Sequence, residues 1–256
     1  MKNVDYSKCL KYTFNKYRGT YVVSGVNKNA IIDGKVVIPE TYKGKVVSDV
    51  ERYAFENCTA LKSITLSDEI RTLQTSAFLG CTNLSEVVFG KNLWQVRFSV
   101  FENCVSLTEL VLPDSVEEFI APLRGCSSLK KLVLSRNLKK FFLSEKCDNL
   151  EFNELDGCKY LGTDDNPYFC LVEAKIDGND VYINELTNVI GSNAFGEGYD
   201  DDNEELKPFT IRIPSACVGV NSRSFLSKSI RLSSLTKTIK VLSQTAIVYT
   251  VETAIL

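Results

Sequence analysis

Nine cysteines are the residues of this sequence with the widest range of possible chemistry, and five of them recur at nearly constant spacing. They are Cys58, Cys81, Cys104, Cys126 and Cys147, which follow one another at intervals of 23, 23, 22 and 21 residues. Thiols can form disulfides, bind soft metals or act as nucleophiles. Equivalent side chains on stacked strands stay about 4.8 Å apart, whereas a disulfide needs β-carbons that converge to about 3.8 Å. We therefore expect a column of buried, free thiols that pack as small apolar side chains.

The complete absence of histidine narrows the possible chemistry further. It removes Cys₂His₂ zinc sites, Ser-His-Asp and Cys-His catalysis, and metals that histidine would ligate. The sequence also has no Cys-x-x-Cys pair, no Gly-rich phosphate loop and no Gly-x-Ser-x-Gly elbow. An odd number of cysteines fits reduced thiols in a reducing compartment better than a disulfide framework. The sequence thus predicts no cofactor and no metal.

Clustered carboxylates supply two weaker candidates. The acidic run at 200–205 could offer oxygen ligands to calcium, but it lacks the alternation of a dedicated calcium loop, and we expect a solvated surface loop. The stretch 156–185 could hold a carboxylate-based enzyme site built from Asp156, Asp164, Asp165 and Glu173. Turns use the same residue types without any catalytic role. We predict that the protein is not an enzyme, and this site stays open as an alternative.

The five cysteines belong to a repeated phrase that must position every candidate side chain. One copy reads Ala54-Phe55-Glu-Asn-Cys58-Thr-Ala-Leu61-Lys-Ser-Ile64-Thr-Leu66, and further copies begin at residues 77, 100, 122 and, more weakly, 143. In each copy two apolar residues at spacing two are typical of a short strand with one buried face. No single copy can bury its own apolar face, so the copies are expected to stack as coils with parallel strands along one axis.

The phrase resembles that of the BspA-like leucine-rich repeats, roughly Ala-Phe-x-x-Cys-x-x-Leu-x-x-Ile-x-Leu-Pro-x-x-Val-x-x-Ile. The segment Leu112-Pro113-Asp-Ser-Val116-Glu-Glu-Phe119-Ile120 is similar to the linker of that family. The resemblance extends over roughly residues 20 to 235 and is strongest over 50–152. It implies a mainly β repeat solenoid, a right-handed leucine-rich-repeat coil. Members of the family are commonly surface proteins of gut or oral bacteria and of protozoan parasites, which implies adhesin-like protein binding.

The positions at which the repeat is interrupted predict how a single leucine-rich-repeat domain over 1–256 is organised. Residues 1–53 form an N-terminal cap and first coil, 54–155 the regular repeats, 156–193 an insertion, and 194–256 degenerate repeats with a C-terminal cap. Within the insertion we expect one hairpin, with a first strand that ends near residue 175, a turn at Asp177-Gly178 and a second strand at 181–183.

The outward-facing residues of the repeated strands are the candidate binding surface. Alternation along the strand predicts an apolar row and a more polar row. The apolar row is Thr65, Val88, Val111 and Val133, and the polar row is Ser63, Glu86, Glu109 and Lys131. An apolar row beside charges is typical of a solenoid surface that binds a protein or peptide. Valine is also a good strand former, so a purely structural explanation remains.

Charge and hydropathy limit the class of partner. The chain has a net charge of −2, which gives no global field for nucleic acid or anionic membranes. No apolar stretch of about 18 residues is present, so we expect no membrane insertion. The first residues lack the apolar run of a secretory signal, which predicts a cytoplasmic location, whereas the family resemblance implies the cell surface. The sequence predicts a non-enzymatic interaction module for a protein or peptide rather than a small molecule, with an intracellular structural scaffold as the alternative.

Overall fold

The computed structural model describes residues 5–143, 147–175, 180–195, 209–220 and 230–234. Short β-strands dominate these residues, and one 3₁₀ turn at Lys28–Ala30 accompanies them. No helix in the described ranges is long and apolar enough to span a bilayer. The prediction of a mainly β fold is confirmed.

The chain divides into two compact units. Unit 1 comprises residues 1–137 and 143–151, and unit 2 comprises 138–142 and 152–256. The single domain expected from the sequence stays a prediction. The strands of unit 1 are β1 Leu10–Asn15, β2 Thr20–Val26, β3 Lys35–Val37, β4 Thr41–Tyr42, β5 Lys45–Val50, β6 Ser63–Thr65, β7 Thr72–Leu73, β8 Glu86–Val88, β9 Gln95–Val96, β10 Glu109–Val111, β11 Glu118–Ile120 and β12 Lys131–Val133.

Unit 1 is a solenoid whose coils are joined by parallel strands on two sides. On one side an antiparallel hairpin of β1 and β2 begins a sheet that continues in parallel through β5, β7, β9 and β11. On the other side β3, β6 and β8 form a parallel ladder, and β10 pairs in parallel with β12. Each coil therefore contributes one short strand to each side, as the repeated phrase predicts.

A third ladder joins the coils at the Ala-Phe part of the phrase. The backbone N–H of Phe55 donates to the carbonyl of Ala77, that of Phe78 to Val100, and that of Phe101 to Pro122. These bonds connect residues 21 or 22 positions apart, one coil further along the chain. The three ladders together satisfy the backbone polar groups of a core that has almost no helix.

Aromatic side chains stack along the core of unit 1. The rings of Phe55, Phe78 and Phe101 are fully buried, with centroid distances of 4.9 Å and 5.6 Å between successive rings. The four leucines of the phrase, Leu61, Leu84, Leu107 and Leu129, are fully buried as well. A spacing close to that of neighbouring strands lets identical side chains repeat from coil to coil without voids.

The backbone conformation of the residue before each of the first four repeat cysteines explains why asparagine and glycine alternate there. The residue before each cysteine is Asn57, Gly80, Asn103 and Gly125 in turn, and all four have a positive φ between 51° and 73°. Asparagine and glycine are the residues that tolerate this left-handed conformation best. A β-carbon on Gly80 would lie 2.2 Å from Oδ1 of Asn57, and one on Gly125 would lie 2.3 Å from Oδ1 of Asn103. Each asparagine side chain thus occupies space that the next coil leaves free by having glycine.

Unit 2 contains further parallel strands and one antiparallel hairpin. Its strands are β13 Lys140–Phe142, β14 Asn153–Leu155, β15 Cys158–Leu161, β16 Cys170–Glu173, β17 Asp180–Tyr182, β18 Val189–Ile190, β19 Phe209–Ile213, β20 Gly219–Val220 and β21 Ile230–Ser234. Parallel ladders join β16, β18 and β20, and separately β17, β19 and β21. Its core packs Cys158, Tyr160, Leu171 and Ile190 together.

The hairpin lies earlier in the chain than the sequence predicts. Strands β14 and β15 pair in antiparallel register around an Asp156-Gly157 turn, where both residues have a positive φ, and β15 also pairs antiparallel with β16. The predicted strands are present as β16 and β17, but they pair with different neighbours, so the expected hairpin between them is wrong. The Asp177-Gly178 turn itself lies outside the described residues. Apolar residues on β16 fit the parallel ladder with β18 better than a free hairpin.

Candidate functional site

The eight predicted surface residues lie side by side on β6, β8, β10 and β12, the strand face of unit 1. In each strand the central residue points into the core, and three of these, Ile64, Leu110 and Leu132, are buried. The two flanking residues of each strand are exposed or half-buried. The register places Ser63 beside Glu86, Thr65 beside Val88, Glu109 beside Lys131, and Val111 beside Val133. Each row is therefore observed in two halves, one on β6 and β8 and one on β10 and β12, and the binding face that these residues would form stays a prediction.

The two central valines of the apolar row keep nearly half of their surface exposed. Val88 retains 45% and Val111 47% of its accessible surface, while Thr65 and Val133 are half-buried. Val37 extends the row by one strand, because it pairs with Thr65 and is 40% exposed. A line of half-exposed branched side chains on rigid strands can bury further area against a partner without reordering the backbone.

The polar row has a distinct order of charges. Lys35 precedes Ser63 on the neighbouring strand, and Glu86, Glu109 and Lys131 follow. The Nζ atom of Lys131 lies 2.6 Å from Oε1 of Glu109 in an exposed ion pair. The row therefore has glutamates in its centre and lysines at both ends, a pattern that fixes the register of a bound partner more than it adds affinity.

The strand face is divided at its centre. No strand pairing joins β8 to β10 within the part of the chain that the structure describes, although β7, β9 and β11 pair without a break on the other side. Phe89 occupies the position at which other coils have a buried leucine, is itself only half-buried, and packs edge-on against Phe101 at 6.2 Å. Phe89 therefore lies beside the break. Because a phenyl ring is larger than a leucine side chain and packed cores accommodate extra volume by shifting the backbone, we expect the ring to contribute to the separation of β8 from β10.

The cysteine column is buried as far as Cys126, and Cys147 at its end is half-buried. Four of its five thiols contact the carbonyl oxygen of a phenylalanine or leucine residue one coil earlier. The Sγ–O distances are 3.1 Å from Cys81 to Phe55, 3.3 Å from Cys104 to Phe78, 3.0 Å from Cys126 to Phe101 and 3.3 Å from Cys147 to Leu123. A thiol fits this position because it is small and apolar yet donates a weak hydrogen bond.

Burial makes these thiols poor nucleophiles. Desolvation raises the pKa of Cys81 and of Cys126 to about 12, and that of Cys147 to about 11. The pKa of Cys104 is raised further for the same reason, with the neighbouring Cys81 and Cys126 adding to the effect. All nine cysteines are free in the structure, and the strand spacing predicts this for the five of the column. Thiols held mainly in their neutral form pack as small apolar side chains in the core of the solenoid.

The carboxylates of the alternative enzyme site are divided between the two ends of β15. Asp156 lies in the turn before β15 and Asp164 in the loop after it, so a whole strand separates them. Asp165 accepts a hydrogen bond from Thr163, and Glu173 forms an ion pair with Lys159 at 2.9 Å. Among the described residues no group of three or more acidic or cysteine side chains is arranged to hold a metal ion. The acidic run at 200–205 lies outside the described residues.

Two parts of the site escaped the sequence analysis. Lys35 and Val37 could have been assigned to the strand face from the sequence. The segment Val37-Ile38-Pro39 marks the end of a repeat strand, so the alternation seen in the later strands places residues 35 and 37 on the outward side. The break between β8 and β10 was harder to predict. Its sequence signal is Phe89, an aromatic residue at the repeat position where other copies have leucine.

Comparison with known proteins finds a family model that matches part of the chain. A family model described as a BspA type leucine rich repeat region matches residues 45–162 in six copies. Among solved structures, the chain is similar to a leucine rich repeat protein of T. pallidum, with 25% identity, a TM-score of 0.46, and coverage of 56% of this chain and 78% of that one. A leucine-rich repeat protein of Bacteroides capillosus shows 23% identity and a TM-score of 0.43, with coverage of 51% and 94%. A leucine rich cell surface protein of Faecalibacterium prausnitzii shows 14% identity and a TM-score of 0.45, with coverage of 84% and 71%. No curated protein matches the chain.

Proposed function

Because residues 45–162 of this chain are a BspA-type leucine-rich repeat region, we propose that the protein is an interaction module that binds a protein or peptide on its strand face. The observation that carries the proposal is the exposed apolar row Val37, Val88 and Val111, held on rigid strands beside an ordered row of charges. Three exposed branched side chains at equivalent positions of separate coils form the kind of apolar row that a solenoid surface uses to bind a protein or peptide.

The apolar row contributes part of the free energy that binding would need. Complete burial of one valine contributes about 1.5 kcal/mol or more, so covering the exposed half of each of three valines contributes roughly 2 kcal/mol in total. Glutamates at the centre and lysines at the ends favour a partner with the opposite order and disfavour others. Micromolar binding would require further contacts from the charged row and from the strand edges at the break between β8 and β10.

Adhesion to an extracellular protein is the form of binding that the family resemblance suggests for this surface. An antibody against the full chain, applied to intact and then to permeabilised source cells, tests that context. Staining of intact cells supports adhesion, and staining only after permeabilisation supports an intracellular scaffold that uses the same face.

A capture experiment with matched variants tests the binding face. The full chain and the variant Val88→Lys with Val111→Lys serve as baits in a lysate of the source cells, and bound proteins are quantified by mass spectrometry. The control carries two lysines at exposed apolar positions of unit 1 outside the strand face, Phe98→Lys with Val105→Lys, whose parent residues are 51% and 38% exposed. We expect the face variant to lose the principal partner by at least about tenfold, and the control to retain it. Equal capture by all three baits would contradict the proposal and leave the repeats a structural spacer.

A further inference from the structure

The N-terminal part of unit 1 is strongly basic, although the whole chain is slightly acidic. Residues 6–32 contain five basic side chains and no acidic one. The basic residues are Lys8, Lys11, Lys16, Arg18 and Lys28. Residues 33–46 add three lysines against two carboxylates, so residues 6–46 carry a net charge of +6 in a chain of net charge −2. A local field of this size attracts an anionic partner even when the global charge does not.

Aromatic rings lie among these lysines on the hairpin of β1 and β2 and the adjoining β4. Tyr12 and Tyr42 stack with centroids 3.9 Å apart, and Tyr21 meets Tyr42 edge-on at 5.0 Å. Phe14 is 44% exposed and packs against Tyr21 at 5.2 Å. The cluster is rigid and apolar, the combination that contributes most to protein interfaces.

Lysine ammonium groups lie close to the rings and remain accessible. The Nζ atom of Lys45 lies 5.4 Å from the centroid of Phe14, and that of Lys43 lies 5.4 Å from that of Tyr42. Both lysines are exposed, as is Lys11 on β1. An anionic group bound here would meet an ammonium and an apolar ring at once.

Strand β1 is the terminal strand of its sheet. Within the described residues it pairs with β2 on one side and with no strand on the other. Such an edge offers unpaired backbone N–H and C=O groups to an added strand. Lysines on an edge strand repel basic strands and disfavour neutral ones, because pairing would bury part of an uncompensated charge. The same charges favour an acidic strand.

We propose that β1 is a second docking site, which takes an extended acidic peptide segment of a partner protein as an added β-strand. Its carboxylates lie near Lys11 on one face of the strand, and its apolar side chains lie on Tyr12 and Phe14 on the other face. The ammonium of Lys45, over the Phe14 ring, adds to the positive field at this edge. The free backbone edge specifies a polypeptide, because neither a polysaccharide nor a nucleic acid can complete a strand ladder. Tyr12 and Tyr42 cover one face of each other's ring, which removes part of the stacking surface that unpaired bases would need.

Fluorescence anisotropy with the full chain tests this site. The probe is a fluorescein-labelled peptide of about ten residues that alternates Glu and Val, long enough to span β1, in buffer of about 50 mM salt, where screening is weak. Two further probes carry N-methyl groups on alternate residues, one set for each edge of the peptide. An added strand pairs through one edge only, so one methylated peptide should bind at least about tenfold more weakly while the other binds like the parent.

Charge variants and other polyanions complete the test. The variant Lys11→Glu with Lys45→Glu should weaken binding of the parent peptide at least about tenfold. The control Lys62→Glu with Lys130→Glu makes the same charge change at exposed sites elsewhere in unit 1 and should change the affinity less than about twofold. Circular dichroism verifies that each variant is folded. Equal binding of both methylated peptides, equal weakening by both double variants, or tighter binding of heparin or an oligothymidylate than of the peptide would each overturn the proposal.

Discussion

Replacing Gly80 with alanine tests whether an asparagine side chain in one coil restricts the residue that the next coil can have at the same position. Gly80 has a φ of +70°, and a β-carbon there would lie 2.2 Å from Oδ1 of Asn57 in the preceding coil. The left-handed conformation alone costs an alanine about 1–2 kcal/mol. Asn57 is exposed and can rotate away, so the contact adds roughly 0.5–1 kcal/mol of rotamer strain. We expect Gly80→Ala to lower the free energy of unfolding by about 1.5–3 kcal/mol.

Two further variants separate the two contributions. Gly19 has nearly the same φ, +69°, but has no atom within 4 Å of the position a β-carbon would take, so Gly19→Ala isolates the conformational part. Adding Asn57→Gly to Gly80→Ala removes the contact, and the double-mutant cycle should give a coupling of roughly 0.5–1 kcal/mol. The same cycle at Gly125 and Asn103 should repeat the result, because the built distance there is 2.3 Å.

Urea unfolding followed by the fluorescence of the single tryptophan, Trp94, reports on these coils directly. A coupling near zero at both pairs would refute the argument that each asparagine side chain fills the space above the following glycine. A Gly80→Ala variant as stable as the parent protein would refute the backbone assignment itself.

Three other predictions follow from the core. Thiol titration of native protein at pH 8 should be slow at Cys81, Cys126 and Cys147, because burial raises their pKa to about 11 or 12 and leaves roughly one thousandth or less as thiolate. All nine cysteines should react after denaturation without reductant, and fewer would indicate disulfides. Cys104→Ala should lower the free energy of unfolding by about 1–2.5 kcal/mol, because it opens a small cavity and removes the thiol donor from the Phe78 carbonyl. An unchanged urea midpoint would contradict a stabilising role of this thiol. Phe89→Leu should let β10 pair with β8, seen as slower amide exchange in Glu109–Val111, whereas unchanged exchange would show that the ring is not what separates the strands.

The repeat period made most of unit 1 predictable from sequence. Spacing between cysteines set the length of each coil, and the alternation around Ile64 and Leu110 assigned inward and outward residues correctly. The prediction of free thiols followed from strand spacing alone. These features were accessible because they repeat, so that each copy supports the assignment of the next.

Features that occur once were not predictable in the same way. Two Asp-Gly pairs, at residues 156 and 177, both satisfy the local requirements of a tight turn, and local chemistry cannot show which strands will then pair. The break beside Phe89 depends on how a core accommodates one larger side chain. The basic aromatic surface around Tyr12 and Tyr42 depends on β4 folding back onto β5, a contact made by two short strands without a repeat signal.

The stacking of the coils supports both the fold and the position of the binding face, and scalar couplings across hydrogen bonds measure it most directly. In deuterated, ¹⁵N,¹³C-labelled protein, the amide nitrogens of Phe55, Phe78 and Phe101 should show couplings to the carbonyl carbons of Ala77, Val100 and Pro122, respectively. Couplings of these three amides to carbonyls within their own coils, or rapid exchange of all three, would contradict the stacked arrangement and with it the proposed face.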